Sequence, residues 1–289
     1  MGQTRRIFAI TILLLFTLTG PIVATATSAA SMTTESTPSV TPSVTPSSAI
    51  WQPSSGSSWQ IQFGEPLAGA PLDVAVYDLD GFETDAATIS ELHAKGIHVL
   101  CYVSMGTLED WRPDAKNYPP SVIGKEWADW KGERFLDIRQ LELLAPAIDA
   151  RLDMCAQKGF DAVEPDNIDT FQNGEKVTGF DLTEDDQLRF NLWLADRAHA
   201  RGLAIGQKNV QDLTAALEPS YDFAVTEDCF VDGWCDAVLP YLQHGKPVFA
   251  IEYTDRDADL STICPIASGT HYSVVLKHRD LDAWRQTCP

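Results

Sequence analysis

Acidic side chains recur at the carboxyl ends of short apolar runs between residues 73 and 277. Taken in order, the run ends are Asp78 and Asp80, then Tyr102 and Ser104, then Asp137, then Glu164, Asp166 and Asn167. They continue with Gln207, Lys208 and Asn209, with Glu227 and Asp228, with Glu252 and Tyr253, and finish at Lys277. Carboxylates gathered this densely repel one another, so the set costs folding energy and points to a functional role. Crowding also separates their proton affinities. One acid is expected to hold its proton near neutral pH while another stays ionised, the division of labour that cleavage of a glycosidic bond requires.

Other chemistries find little support. The histidines at 93, 98, 199, 244, 271 and 278 show no paired ligand spacing, and His93, His199 and His244 sit near predicted helix ends, where a dipole contact accounts for them. No Gly-x-Ser-x-Gly elbow and no phosphate loop occurs. No cofactor and no metal is expected.

Eight β-branched runs carry these positions: Asp73–Asp80, His98–Ser104, Arg134–Ile138, Asp161–Asp166, Leu203–Lys208, Asp222–Glu227, Pro247–Tyr253 and His271–Lys277. Amphipathic stretches lie between them, among them Asp85–Lys95, Leu141–Lys158, Thr183–Arg201 and Asp232–His244. Gly96, Gly159, Gly202 and Gly245 follow at the places where helices end. Apolar strands alternating with helices indicate parallel pairing with right-handed crossovers, and eight such units predict an α/β fold of the (β/α)8 TIM-barrel type. A doubly wound sheet is the rival, but Leu79-Asp80-Gly81-Phe82 is not the Gly-rich turn it would present. In a TIM barrel the chemistry sits at the C-terminal strand ends, which is where the polar residues gather.

Ahead of the barrel, Arg5-Arg6 precedes the apolar run Ile7–Leu18 and then small residues, so residues 1–30 are read as a secretory signal peptide. The run is short for a membrane span, and no membrane association is expected after cleavage. Residues 31–58 are Ser/Thr/Pro-rich, with Thr-Pro-Ser-Val repeated, and are expected to form a disordered linker before a single domain over residues 59–289. The 289-residue chain has 21 Lys+Arg against 41 Asp+Glu, a formal net charge of -20. That imbalance repels nucleic acid and favours cationic or neutral polymers as partners.

At Val163-Glu-Pro-Asp-Asn-Ile-Asp169 the sequence resembles glycoside hydrolase family 114, the endo-α-1,4-polygalactosaminidases, and the resemblance runs from about Trp59 to Cys288. Trp59-Gln-Ile-Gln62, Val76-Tyr-Asp-Leu-Asp80, Cys101-Tyr-Val-Ser104, Ile205-Gly-Gln-Lys-Asn209 and Glu227-Asp-Cys-Phe230 support it. The resemblance implies a (β/α)8 barrel that cleaves α-1,4 bonds inside galactosamine-containing polysaccharides with one Asp and one Glu; together with the leader and the acidic charge, a secreted enzyme acting on a cationic or partly deacetylated polymer is expected. On the matching positions these are Asp166 and Glu227. Double displacement with retention is expected, with Asp166 attacking and Glu227 serving as acid and then base.

Around the pair, Asp78, Asp80, Glu164 and Glu252 are expected to hold sugar ammonium and hydroxyl groups. Tyr102, Tyr253 and Trp111 are expected to stack on sugar faces, Lys208 to neutralise a neighbouring acid, and Asn167 and Asn209 to bond substrate. The six cysteines suggest disulfides in a secreted chain. Proximity suggests Cys229 with Cys235 and Cys264 with Cys288, and subtraction leaves Cys101 with Cys155 unless these are buried free thiols. A monomer is expected. The alternatives are a hydrolase of another amino sugar or of a neutral α-glycan, and a sugar-binding barrel without turnover.

Overall fold

The computed structural model describes residues 50–64, 67 and 71–289; the expected signal peptide and most of the expected linker lie outside the described residues. The strands are β1 (Trp59–Gln62), β2 (Val76–Asp80), β3 (His98–Ser104), β4 (Thr107–Glu109), β5 (Ile123–Glu126) and β6 (Glu133–Leu136). They continue with β7 (Ala162–Asp166), β8 (Ala204–Lys208), β9 (Phe223–Glu227), β10 (Val248–Tyr253), β11 (Ser273–Lys277) and β12 (Gln286–Thr287). The helices are α1 (Ala86–His93), α2 (Leu141–Lys158), α3 (Glu175–Thr178), α4 (Glu184–His199), α5 (Thr214–Leu217), α6 (Cys229–Asp232), α7 (Leu239–Gln243) and α8 (Leu260–Thr270).

Eight parallel strands in the order β1-β2-β3-β7-β8-β9-β10-β11 curl into the barrel sheet, and β12 adds antiparallel to β11. The ends of the curl meet where the Trp59 indole donates to the Ser273 carbonyl at 2.8 Å and Lys277 donates to Gln60 Oε1 at 3.4 Å. Expected and observed barrels differ in one strand. Arg134–Ile138 does not enter the barrel: β6 is the centre of a separate antiparallel sheet, β4-β6-β5, inserted between β3 and α2. The missing barrel strand is β1, whose Trp-Gln-Ile-Gln is too short to stand out as a β run.

Side-chain parity sorts each barrel strand. Trp59, Ile61, Val76, Leu100, Ala162, Ala204, Phe223, Val225, Phe249, Ile251 and Tyr253 pack as one buried cluster inside the sheet. Their neighbours Tyr77, Cys101, Val163, Ile205, Ala224 and Ala250 pack with the helices outside. Because successive side chains alternate faces, the inner position nearest the C-terminal end is Asp166 on β7, Lys208 on β8, Glu227 on β9 and Tyr253 on β10.

The helices form where the amphipathic stretches predict them. Asp85 caps α1 through its bond to the Thr88 amide, and Thr183 and Asp186 form a capping box on α4. Gly159 ends α2 in the left-handed conformation at φ 97, which costs glycine little. Asp232–His244 is the exception. It breaks at Gly233 (φ 76), runs through a tight turn at Cys235–Val238 and resumes as α7 at Leu239.

All three expected disulfides form: Cys101–Cys155, Cys229–Cys235 and Cys264–Cys288. The first, reached only by subtraction, ties β3 to α2 through two buried sulfurs. The last residues of the expected linker pack on the domain: Trp51 stacks on His98 with ring centroids 4.3 Å apart, and Gln52 donates to Asp222 at 3.1 Å. No helix among the described residues is long and apolar enough to cross a membrane.

Candidate active site

A cleft of about 480 Å³ opens at the C-terminal end of the barrel strands, and Tyr102, Asp166, Asn167, Lys208, Asn209, Glu227 and Tyr253 line it. Lys208 is the centre of the site. Its ammonium stands 3.0 Å from Asp166 Oδ1, 3.1 Å from Glu164 Oε1 and 3.4 Å from Glu227 Oε2. Burial works against a lysine's charge, but Asp166, Glu164 and Glu227 outweigh it and hold the Lys208 pKa well above its ordinary value. One cation thus offsets the repulsion among three acids, the task the sequence suggested for it.

Each member of the pair also accepts a tyrosine hydrogen bond. Tyr102 Oη donates to Asp166 Oδ2 at 3.0 Å, and Tyr253 Oη donates to Glu227 Oε1 at 2.5 Å. Burial first, and then the adjacent carboxylate, pushes both phenols well above their usual range, so both remain donors. With both oxygens of Asp166 held, its carboxylate plane is fixed. Glu227 Oε2 is held more loosely, by Lys208 and by Asn209 Nδ2, each at 3.4 Å. Asn209 further accepts from the Glu227 amide at 2.9 Å, pinning the start of the loop.

The strand ends turn sharply to present these groups. Asn167 follows Asp166 at φ 60, Asn209 follows Lys208 at φ 47, and Asp228 follows Glu227 at φ 52. Left-handed backbone at three non-glycine positions, each directly after a cleft residue, is strain concentrated at a functional site. Gly106 permits the tightest of these approaches, because a Cβ there would lie 1.7 Å from the Asn167 carbonyl oxygen. The Asn167 side chain does not point to a ligand: it donates to Ser104 Oγ at 3.0 Å and Thr107 Oγ1 at 3.1 Å.

Four acids expected to touch substrate are placed elsewhere. Asp78 and Glu164 are fully buried beneath the cleft, where burial first and the neighbouring Glu164 charge next push the Asp78 carboxyl well above its ordinary range, and burial raises Glu164 as well. Asp80 is held bidentately by Arg112 at 2.9 and 2.6 Å and accepts from the Phe82 and Glu83 amides, which makes it a turn cap. Glu252 has the wrong parity. It points outward, fully buried, and caps α6 by accepting from the Phe230 and Val231 amides at 2.9 and 3.2 Å; burial raises its pKa to about 7.

Trp111 stands outside the cleft lining beside Gly132, while Trp127 and Trp130 line the cleft. Further cleft residues escaped the sequence reading: Phe63, Glu133, Asp169 and Arg279. Asp169 lies inside the quoted motif, and burial with the nearby Asp166 charge raises its pKa to about 7. Arg279 stacks 3.6 Å over the Tyr253 ring. Glu133 was hidden by the misplaced strand. In a barrel strand only the C-terminal end faces the site, whereas β6 belongs to the inserted sheet and brings its first residue to the cleft.

A carboxylate pair bridged by one buried cation at the C-terminal mouth of a (β/α)8 barrel is an arrangement that can serve cleavage of a glycosidic bond. The model of glycoside hydrolase family GH114 matches residues 40–289, and the chain belongs to that family. The solved structure of Aspergillus fumigatus Ega3, in complex with galactosamine, is 36% identical, covers 83% of this chain and 98% of its own, and superposes with a TM-score of 0.77. The glycoside hydrolase domain of PelA from Pseudomonas aeruginosa shares the fold at 15% identity and a TM-score of 0.61, covering 80% of this chain and 98% of its own. An uncharacterized protein of Deinococcus radiodurans is 26% identical over 263 residues, 79% of this chain and 82% of its own.

Proposed function

We propose that this protein is a secreted, monomeric, endo-acting hydrolase that cleaves α-1,4 bonds in cationic, partly deacetylated galactosamine polysaccharide with retention. The observation that carries the reading is the Asp166–Lys208–Glu227 cluster in a cleft whose 36%-identical relative was solved with galactosamine. The net charge of -20 draws a polycation towards such a cleft.

Asp166 is the nucleophile. Tyr102 and Lys208 fix its orientation, and it attacks the anomeric carbon as the glycosidic bond breaks. Glu227 gives its proton to the departing oxygen and then takes one from the water that releases the sugar from Asp166. Lys208 gathers the two carboxylates around one cation, with Asp166 Oδ1 at 3.0 Å and Glu227 Oε2 at 3.4 Å, which supports their acting on a single anomeric centre.

Secretion is supported by the charged and then apolar start of the chain and by three disulfides, which persist in oxidising compartments. The test is incubation with deacetylated galactosaminan, chitosan and a neutral α-glycan, following new reducing ends and the first-formed anomer by proton NMR. Cleavage of galactosaminan with retained configuration is expected. Preference for chitosan or the neutral glycan would sink the substrate assignment, and inversion would sink the mechanism.

A further inference from the structure

The inserted sheet supplies Trp127, Trp130 and Glu133 to the cleft. Asp166 and Glu227 face Lys208, and the neighbouring Asp80 and Glu109 face Arg112. Glu133, only 7% exposed, has no lysine, arginine or histidine partner among the described residues. Its Oε2 accepts from Thr107 Oγ1 at 2.9 Å, at the end of a hydrogen-bond chain that starts at Asn167 beside Asp166. That chain fixes the side chain and leaves Oε1 as the available acceptor. A carboxylate this buried costs free energy when unpaired, and the cost is offset when a partner charge arrives from outside.

We propose that Glu133 is the residue that reads the substrate's amine: it accepts a hydrogen bond from the 2-ammonium of a galactosamine unit lying against Trp127 and Trp130, and so sets the preference for deacetylated over acetylated sugar. This rests on the function proposed above. The indole faces suit a cationic sugar, and Trp130 is 51% exposed and therefore free to receive one. An acetamido group carries no charge, so it does not neutralise Glu133. Burial, and then the Asp166 and Glu109 charges, raise the Glu133 pKa to about 7, opposed by the Thr107 hydrogen bond and by Arg112. An incoming ammonium lowers that value, so the amine binds with loss of the Glu133 proton below neutrality.

The experiment pairs binding with cleavage for wild type, Glu133→Gln and Glu133→Asp, using tetrasaccharides of galactosamine and of N-acetylgalactosamine. Glutamine retains an acceptor for Thr107 and removes only the charge. Calorimetric affinity and kcat/KM for the deacetylated tetrasaccharide are expected to fall roughly ten- to a hundredfold in Glu133→Gln, with the acetylated one unchanged within about twofold. Glu133→Asp is expected to restore part of the preference. Equal losses on both sugars, or an undiminished preference, overturn the inference. If wild type binds but cleaves neither sugar, the proposed function fails, and the binding ratio still decides the role of Glu133. Thermal melts identify a misfolded variant, in which case Glu133→Asp alone carries the comparison.

Discussion

Replacing Lys208 with methionine probes the site most severely, because one side chain serves three carboxylates. At an effective dielectric near 20, unit charges about 3 Å apart attract by roughly 5 kcal/mol, and the contacts here are 3.0, 3.1 and 3.4 Å. Desolvation of the ammonium offsets much of that sum. What remains on deletion is the cost of leaving buried acids uncompensated, about 3–5 kcal/mol for a broken buried pair. For a domain of this size the melting temperature then falls by roughly 6–20 °C. In catalysis, losing the cation that holds Asp166 and Glu227 is expected to lower kcat/KM and to change its pH profile. The assay is a thermal melt beside kcat/KM on deacetylated galactosaminan from pH 4 to 9. A variant that melts within about 2 °C of wild type and keeps the wild-type profile would refute the central place given to Lys208.

Tyr253→Phe removes the 2.5 Å bond to Glu227, and kcat is expected to drop about tenfold or more with little change in melting temperature; equal kcat would show that the contact is idle. Glu133, Asp169 and Glu252 are each raised to about 7. Between about pH 4.5 and 7 the folded protein therefore holds protons that the unfolded chain releases, so stability falls as pH rises from about 5 to 8. His199, raised by its bond to Asp222, acts in the same direction, while the lowered Asp149 and Asp186 lose their contribution only as pH falls below about 4. Melting curves at pH 5, 6.5 and 8 check this, and a maximum at pH 8 contradicts it. Removing Cys229–Cys235 as a double serine variant opens a loop of sequence separation 6, so about 2 kcal/mol or less of stability is expected to go. Activity is expected to fall further than that, because the bridge pins the loop after Glu227; unchanged turnover would contradict that role.

The polar groups at the strand ends were legible because parallel strands put chemistry at one end of the barrel, which located Asp166, Lys208, Glu227 and Tyr253 without a structure. Parity was available but not applied: Glu252 and Tyr253 were both expected on substrate, yet as neighbours on one strand they must face opposite ways, and Glu252 is the helix cap while Tyr253 lines the cleft. What sequence could not show was tertiary pairing. Asp80 reads like any strand-end acid until Arg112, 32 residues on, closes on it. Arg134–Ile138 has the composition of a barrel strand, and only its antiparallel partners β4 and β5 place it outside the barrel. That one displacement hid Glu133 and the two tryptophans beside it.

Release of reducing ends from deacetylated galactosaminan by wild type, Asp166→Asn and Glu227→Gln tests the assignment most directly. Wild type is expected to cleave the polymer, and each variant to be slower by roughly a thousandfold or more while still binding it, since both carboxyl groups take part in the same bond-breaking step. Cleavage at the wild-type rate by either variant would contradict the assignment of Asp166 and Glu227.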